Sequence, residues 1–107
     1  MKSNKPPVTR HGKTHTVTVG DHEFDITVNR DRHNRILEVF AKSTCGMQGH
    51  MDMVCRVASL GLQGRADVET LIRHMRGDKT EPRGIVGQPT SIYDGIAKVL
   101  EEESNAK

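Results

Sequence analysis

Apolar and polar residues alternate along the first half of the chain with the period of a β-strand. The alternation is clearest over residues 23–29, where it predicts a strand with one buried face. Residues 15–19 are rich in β-branched side chains and residues 36–42 alternate less cleanly, so both predict further strands. Gly20 and Asp21 predict the turn between the first two. Three such strands in chain order make an antiparallel sheet whose edges must be paired or protected.

The second half of the chain changes to the helical period. Apolar residues at helical spacing predict an amphipathic helix over residues 47–62, and Gly64 ends it. Asp67 is a candidate N-cap for a second helix, which Gly77 terminates. A last helix begins after Ser91. Strands followed by helices predict an α+β fold, in which a small antiparallel sheet of about three strands is followed by two or three helices packed on one face.

The length of 107 residues predicts a single domain over residues 14–103, between a basic tail at 1–13 and a short tail at 104–107. Basic residues, the absence of acidic ones and the Pro6-Pro7 pair predict disorder in the N-terminal tail. Such a tail commonly serves solubility, and nonspecific nucleic-acid binding is the alternative. The net charge of +2 does not by itself indicate a nucleic-acid partner.

Large apolar side chains are scarce in this chain. Hydrophobic residues make up 34% of it, and Phe24, Phe40 and Tyr93 account for the 3% that are Phe, Trp or Tyr. Apolar burial contributes roughly 25 cal/mol per Å², whereas ordering a residue costs about 1.5 kcal/mol. A monomer should therefore be marginally stable, and the composition predicts a homo-oligomer whose interface buries further apolar surface.

Composition also bears on the compartment and on membranes. No apolar run approaches the roughly 20 residues that span a bilayer, and no hydrophobic segment typical of a signal peptide is present. The two cysteines suggest free thiols in a reducing environment. These features predict a cytoplasmic protein without a membrane partner.

Cys45, His50 and Cys55 are the candidates for metal or redox chemistry. Their Cys-x4-His-x4-Cys spacing lacks the close ligand pairs of zinc sites, and Cys55 falls inside a predicted helix as a small core residue. Cys45 stands at a predicted helix N-terminus, where the helix dipole lowers the pKa of a thiol. It is therefore either a nucleophile or an ordinary turn residue. The chain shows no catalytic triad, paired catalytic carboxylates or dinucleotide fingerprint. We therefore expect no enzyme activity, no metal and no cofactor.

Candidate anion-binding groups fall in two places. Residues 43–49 are hydroxylic and glycine-bearing and open a helix, so Ser43 and Thr44 are candidates to bind an anion. A simple strand-to-helix turn is the alternative. Four arginines can donate bidentate hydrogen bonds to phosphate oxygens. They are Arg56, Arg73, Arg76 and Arg83. Acidic residues lie between them, so a solvated surface of mixed charge is the alternative.

Residues 90–98 carry the most informative motif, Thr-Ser-Ile-Tyr-Asp-Gly-Ile-Ala-Lys. Ser91 and Asp94 stand three residues apart just before an apolar run, which is the signature of a helix N-terminus. The stretch also resembles the signature of the TSCPD domain, a small module named for the letters T-S-C-P-D. The similarity extends from about residue 14 to residue 103.

The resemblance implies functions that the residues alone do not. Ile92 and Tyr93 stand where the family has the Cys and Pro letters, so a role that needs that cysteine is not expected here. TSCPD domains occur at the C-terminal end of B12-dependent ribonucleotide reductases and as free-standing proteins. The chain lacks a reductase body, which implies a fragment or a stand-alone relative. Its strands followed by helices are also similar to phage anti-Thoeris sponges, which are oligomers that trap cyclic nucleotide immune signals.

Two hypotheses of function follow. In the first, a homo-oligomer in the host cytoplasm sequesters a cyclic ADP-ribose isomer, a cyclic oligonucleotide or another phosphorylated small molecule without catalysis. The four arginines would meet phosphates, and Tyr93 or Phe40 would stack on a base. In the second, the chain is an accessory module that binds a reductase or another protein partner.

Overall fold

The computed structural model of the protein describes residues 11–43 and 48–105. It has the predicted α+β fold, in which a three-stranded antiparallel sheet is followed by three helices. The elements are β1 (His11–Val19), β2 (His22–Arg30), β3 (Ile36–Lys42), α1 (Gln48–Gln63), α2 (Val68–Met75) and α3 (Ile92–Asn105).

β1 begins four residues earlier than its sequence pattern predicts. His11 pairs with Arg30 of β2, so residues 11–13 of the predicted tail belong to the strand. These residues show no apolar alternation, and their place in the sheet follows from backbone pairing with β2 rather than from side-chain burial.

Gly20 and Asp21 form the two-residue turn that joins β1 to β2, as predicted. Gly20 has a φ of 62°, which a glycine adopts without steric cost and which suits the first position of such a turn. The register starts with Val19 opposite His22 and continues to the beginning of β1. β3 pairs with the other side of β2, so β2 is the central strand and β1 and β3 are the edges.

One face of the sheet, the core face, carries the buried residues of β2. Phe24, Ile26 and Val28 are at most 1% exposed, as their alternation predicts. Helix α3 packs across β1 and β2 on this face, and its Ile96 and Leu100 are fully buried. Each such side chain contributes about 1.5–3 kcal/mol on burial. The opposite face, the open face, is largely polar and carries the three threonines of β1.

Helix α1 lies along the free edge of β3 and takes the place of a fourth strand. The Ser59 hydroxyl accepts from the Val39 N–H at 3.0 Å and donates to the Val39 carbonyl at 3.2 Å. The Gln48 amide donates to the Ala41 carbonyl at 2.9 Å and accepts from the Ser43 N–H at 2.8 Å. These side chains satisfy edge groups that would otherwise be open to another strand.

Candidate functional site

A groove between the open face of β3 and helix α1 brings together two of the predicted ligand-binding residues, Phe40 and Arg56. Phe40 projects from the open face, and 44% of its surface is exposed. The groove has a volume of about 320 Å³. The residues that line this β3–α1 groove are Glu38, Phe40, Asp52, Cys55, Arg56, Ser59, Leu60 and Gln63.

Arg56 owes its position to the way α1 is held. Cys55 belongs to the buried stripe of α1, and the next residue along a helix points about 100° away from it. Arg56 is accordingly exposed. Its guanidinium makes no hydrogen bond or ion pair with the part of the chain that the structure describes. An uncommitted guanidinium therefore stands beside an exposed aromatic ring.

Two carboxylates border the same groove as hydrogen-bond acceptors. Glu38 is buried and accepts from the Asn29 side chain at 3.1 Å. Asp52 accepts from the Gln48 side chain at 2.7 Å. A carboxylate offers several acceptor positions, so Asp52 retains capacity for a ligand. Burial raises the pKa of Cys55 to about 11, so its thiol is neutral and forms an apolar part of the wall.

A row of exposed apolar side chains runs along α1 beside the groove. Met53, Val57 and Leu60 are 56%, 61% and 61% exposed. Their i, i+4, i+7 spacing places them on one helical face, which we name the α1 stripe. Leu60 belongs to both the stripe and the groove. The stripe forms a second apolar row in the predicted helix, and contiguous exposed apolar surface of this kind marks interaction sites.

The other predicted arginines and Tyr93 lie elsewhere and are absent from the lining of the β3–α1 groove. Arg73 is exposed on α2, Arg76 caps its C-terminal end, and Arg83 is exposed in the following loop. Arg76 donates to Glu101 of α3 at 3.1 Å, so this guanidinium is already paired. Tyr93 is half-buried in the first turn of α3 and packs against the core.

Ser43 lines a different cavity, of about 700 Å³, at the end of the sheet that holds the β1–β2 turn. Three carboxylates and one lysine, Lys42, face this cavity, and that balance disfavours an anion. The Ser43 N–H is taken by Gln48. Thr44 and Cys45, the other candidates in this segment, lie outside the described residues.

The motif at residues 90–94 forms a hydrogen-bond network between α3 and the loop after α2. The Ser91 hydroxyl accepts from the Asp94 N–H at 3.2 Å, which confirms the predicted helix cap, and it donates to the Asp78 carboxylate at 2.9 Å. The Thr90 hydroxyl donates to the Asp78 carbonyl at 2.7 Å. The Asp94 carboxylate accepts from the Gly77 N–H at 2.8 Å and from the Thr90 N–H at 2.9 Å.

Asp94 is ionised in this network. Burial acts to raise the pKa of its carboxyl, but the N–H groups of Gly77 and Thr90 and the ammonium of Lys98 outweigh burial and hold the pKa below 3.8. The side chains of Thr90, Ser91 and Asp94 all make hydrogen bonds, and Ile92 is a fully buried core residue. The motif therefore has a structural role: it links the start of α3 to the loop that follows α2.

The described residues also bear on the predictions about metals and membranes. Within 11–43 and 48–105, no three His, Cys, Asp or Glu side chains come together in a way that could hold a metal ion. Among the helices of those same segments, none combines the length and apolarity that crossing a bilayer requires.

Comparison with protein families identifies a match to a known domain. The family model of the TSCPD domain matches residues 1–104. Comparison with curated proteins and with solved structures finds no match. The match includes the 90–94 motif and both elements that form the β3–α1 groove.

Proposed function

Since the chain belongs to the TSCPD domain family, we propose that it is a homo-oligomeric binding protein that sequesters a nucleotide-type immune signal without catalysis, as a phage anti-defence sponge does. The signal is a cyclic ADP-ribose isomer or a cyclic oligonucleotide. The observation that supports this proposal is the uncommitted guanidinium of Arg56 beside the exposed ring of Phe40 in one groove.

The groove offers a distinct group to each part of a nucleotide. A base stacks on the Phe40 ring, an interaction of about 1–3 kcal/mol that every base can make. The Arg56 fork donates charge-assisted hydrogen bonds to a phosphate. Asp52 accepts from an exocyclic amino group, which adenine and guanine carry and uracil lacks, so these two bases fit better.

The size of the groove supports a site that a second subunit completes. Its volume of about 320 Å³ lies at the lower end of the range of roughly 300–1,000 Å³ for ligand pockets. A ligand larger than a mononucleotide therefore extends beyond it. The α1 stripe adjoins the groove through Leu60, and a second copy that covers the stripe also covers the exposed side of the ligand.

Calorimetric titration with cyclic ADP-ribose isomers and cyclic di- and trinucleotides tests the proposal. One of them should bind, and mass spectrometry should recover it unchanged after the protein is denatured. Arg56→Ala should weaken binding by about tenfold or more, since a hydrogen bond to a charged group contributes about 1.5–3 kcal/mol. Phe40→Ala should weaken it by about fivefold or more, since stacking contributes about 1–3 kcal/mol.

Arg32→Ala is the matched control, because Arg32 is an exposed arginine in the β2–β3 turn and lies outside the groove lining. Its affinity should equal that of the wild type. Unchanged affinity in both groove variants would place the ligand elsewhere. Recovery of a cleaved ligand would make the protein an enzyme.

A second candidate function is that of an accessory module for another protein, and the α1 stripe favours it. In that case, the protein binds no nucleotide, and a larger enzyme such as a reductase co-purifies with it. Val57→Lys places a charge in the middle of the stripe and should abolish this capture. Capture that survives Val57→Lys would exclude the stripe as the docking surface.

A further inference from the structure

The two edge strands of the sheet differ in how far other parts of the described chain cover their outward backbone groups. Side chains of α1 bond to the outward backbone groups of β3. On β1, the hairpin register places Val19 and His22 as a bonded pair beside the two-residue turn, and bonded residues then alternate along an antiparallel ladder. The intervening residues therefore direct their N–H and C=O groups to the free edge. They are Gly12, Thr14, Thr16 and Thr18.

Only the end of this edge is covered by the described part of the chain. The Gly20 N–H donates to the Gln88 side chain at 2.7 Å. The outward backbone groups of the three threonines have no hydrogen-bond partner among residues 11–43 and 48–105. Proteins usually guard such an edge with charges, prolines or a covering element. Here β1 carries no proline, and Lys13 is its one lysine or arginine.

We propose that β1 pairs antiparallel with β1 of a second copy, about a two-fold axis at Thr16, and joins the two sheets into one of six strands. This register sets Thr16 opposite its own counterpart and Thr14 opposite Thr18 of the partner subunit. All three threonines then exchange backbone hydrogen bonds. A register centred on Thr18 would set Thr16 opposite Gly20 of the partner subunit, whose N–H Gln88 already occupies, whereas in the proposed register only Gly12, at the end of the strand, lies opposite that glycine.

The side chains of β1 are compatible with this register. On the open face, threonines meet threonines, which is a favourable cross-strand pair. Two of them are already held to β2, because Thr14 bonds to Thr27 at 2.8 Å and Thr16 donates to Asp25 at 2.9 Å. Little side-chain entropy is therefore lost on pairing. Lys13 lies opposite a valine of the partner strand, so like charges do not face each other.

Thr16→Pro tests the proposal in the full-length protein. Proline removes the outward N–H that the pairing needs, yet leaves the β1–β2 ladder intact because that N–H does not face β2. Sedimentation should give a mass for Thr16→Pro that is half that of the wild type. Thr16→Val keeps the N–H and is the matched control, so its mass should equal that of the wild type. A monomeric wild type, or an unchanged mass for Thr16→Pro, would overturn the proposal.

Amide hydrogen exchange of the wild-type protein provides a test that needs no variant. The amides of Thr14, Thr16 and Thr18 should exchange slowly at high protein concentration and rapidly when dilution separates the subunits. The amides of His15 and Val17 bond to β2 and should exchange equally at both concentrations. Threonine amides that exchange rapidly in the associated protein would refute pairing at this edge. Protection that persists in the separated subunits would show that the chain covers its own edge.

This pairing is independent of the proposed ligand site. Arg56 and Phe40 lie beside the other edge of the sheet, so Arg56→Ala reports on the ligand and leaves the β1 edge unchanged. Loss of ligand binding with an unchanged mass, or the reverse, distinguishes the failure of one proposal from the failure of the other.

Discussion

Asp94→Ala should destabilise the protein severely although Asp94 is remote from the β3–α1 groove. Asp94 is 3% exposed, and its carboxylate is the acceptor for the N–H groups of Gly77 and Thr90. Alanine removes both acceptor atoms and leaves two backbone donors in a place that water reaches poorly. The variant also detaches the start of α3 from the end of α2, which weakens the contact between these helices.

The magnitude follows from the two hydrogen bonds. A hydrogen bond to a charged group contributes about 1.5–3 kcal/mol, and the lower value applies because both bonds are only partly buried. The ion pair with Lys98 adds little, since the Lys98 side chain is 47% exposed. We therefore expect a loss of about 3 kcal/mol from a total that is roughly 5–15 kcal/mol for a domain.

Urea unfolding followed by circular dichroism measures this loss. With a slope of about 1–3 kcal/mol/M, the midpoint should fall by more than ~1 M. Glu102→Ala is the control, because it removes the same charge from an exposed position of α3 and should change stability by no more than about 0.5 kcal/mol. If Asp94→Ala lowered the free energy of unfolding by less than about 1 kcal/mol, the hydrogen-bond network of residues 90–94 would not be important for stability.

The pH dependence of Asp94→Asn follows from the same contacts. The pKa of Asp94 in the folded protein lies below its ordinary value of 3.8, so its contribution to stability is complete above 3.8 and is lost as the pH falls through the lower folded value. The asparagine side chain of the variant cannot ionise. The stability difference between wild type and variant should therefore be largest near neutral pH and shrink below 3.8. A difference that is constant with pH would show that the charge of Asp94 is irrelevant.

Three further predictions concern packing and reactivity. Ser59→Ala should cost about 1–2 kcal/mol in urea unfolding, because it removes both bonds to Val39; no loss would show that α1 does not depend on this edge contact. Gly84→Ala should destabilise by about 1–3 kcal/mol, since an added Cβ would lie 1.8 Å from the Pro89 carbonyl oxygen. At Gly49 an added Cβ meets no atom within 4 Å, so Gly49→Ala should be neutral or stabilising. Equal changes in stability for Gly84→Ala and Gly49→Ala would contradict this reasoning. In a Cys45→Ala background, the Cys55 thiol, with a pKa of about 11, should react slowly with iodoacetamide at neutral pH and rapidly in urea; rapid labelling of the folded protein would contradict its burial.

The elements of the fold were predictable where the signal is local. Alternation in residues 23–29 reports which side chains of β2 are buried, and a cap such as Ser91 acts within one helical turn. Both depend on residues that are close in the sequence. The early start of β1 was not predictable in this way, because residues 11–13 enter the sheet through backbone pairing that leaves no periodic pattern.

The candidate site was predictable only in its residue types. Arginine and aromatic side chains indicate phosphate and base binding wherever they lie, but their spacing does not show that Phe40 meets Arg56 or that Arg76 is paired with Glu101, 25 residues away. The second role of Asp94, as an acceptor for Gly77, also depends on a contact across the fold.

Local patterns thus specify three strands, three helices and the caps and turns between them, because each of these depends on neighbouring residues. Which side chains share a groove, and which strand edge is left open, depends on how α1 and α3 are placed against the sheet. His15 and Glu103, 88 residues apart, form a side-chain hydrogen bond between β1 and the end of α3 that no local pattern contains. Long-range packing decides such contacts, since it alone brings distant parts of the chain within hydrogen-bonding distance.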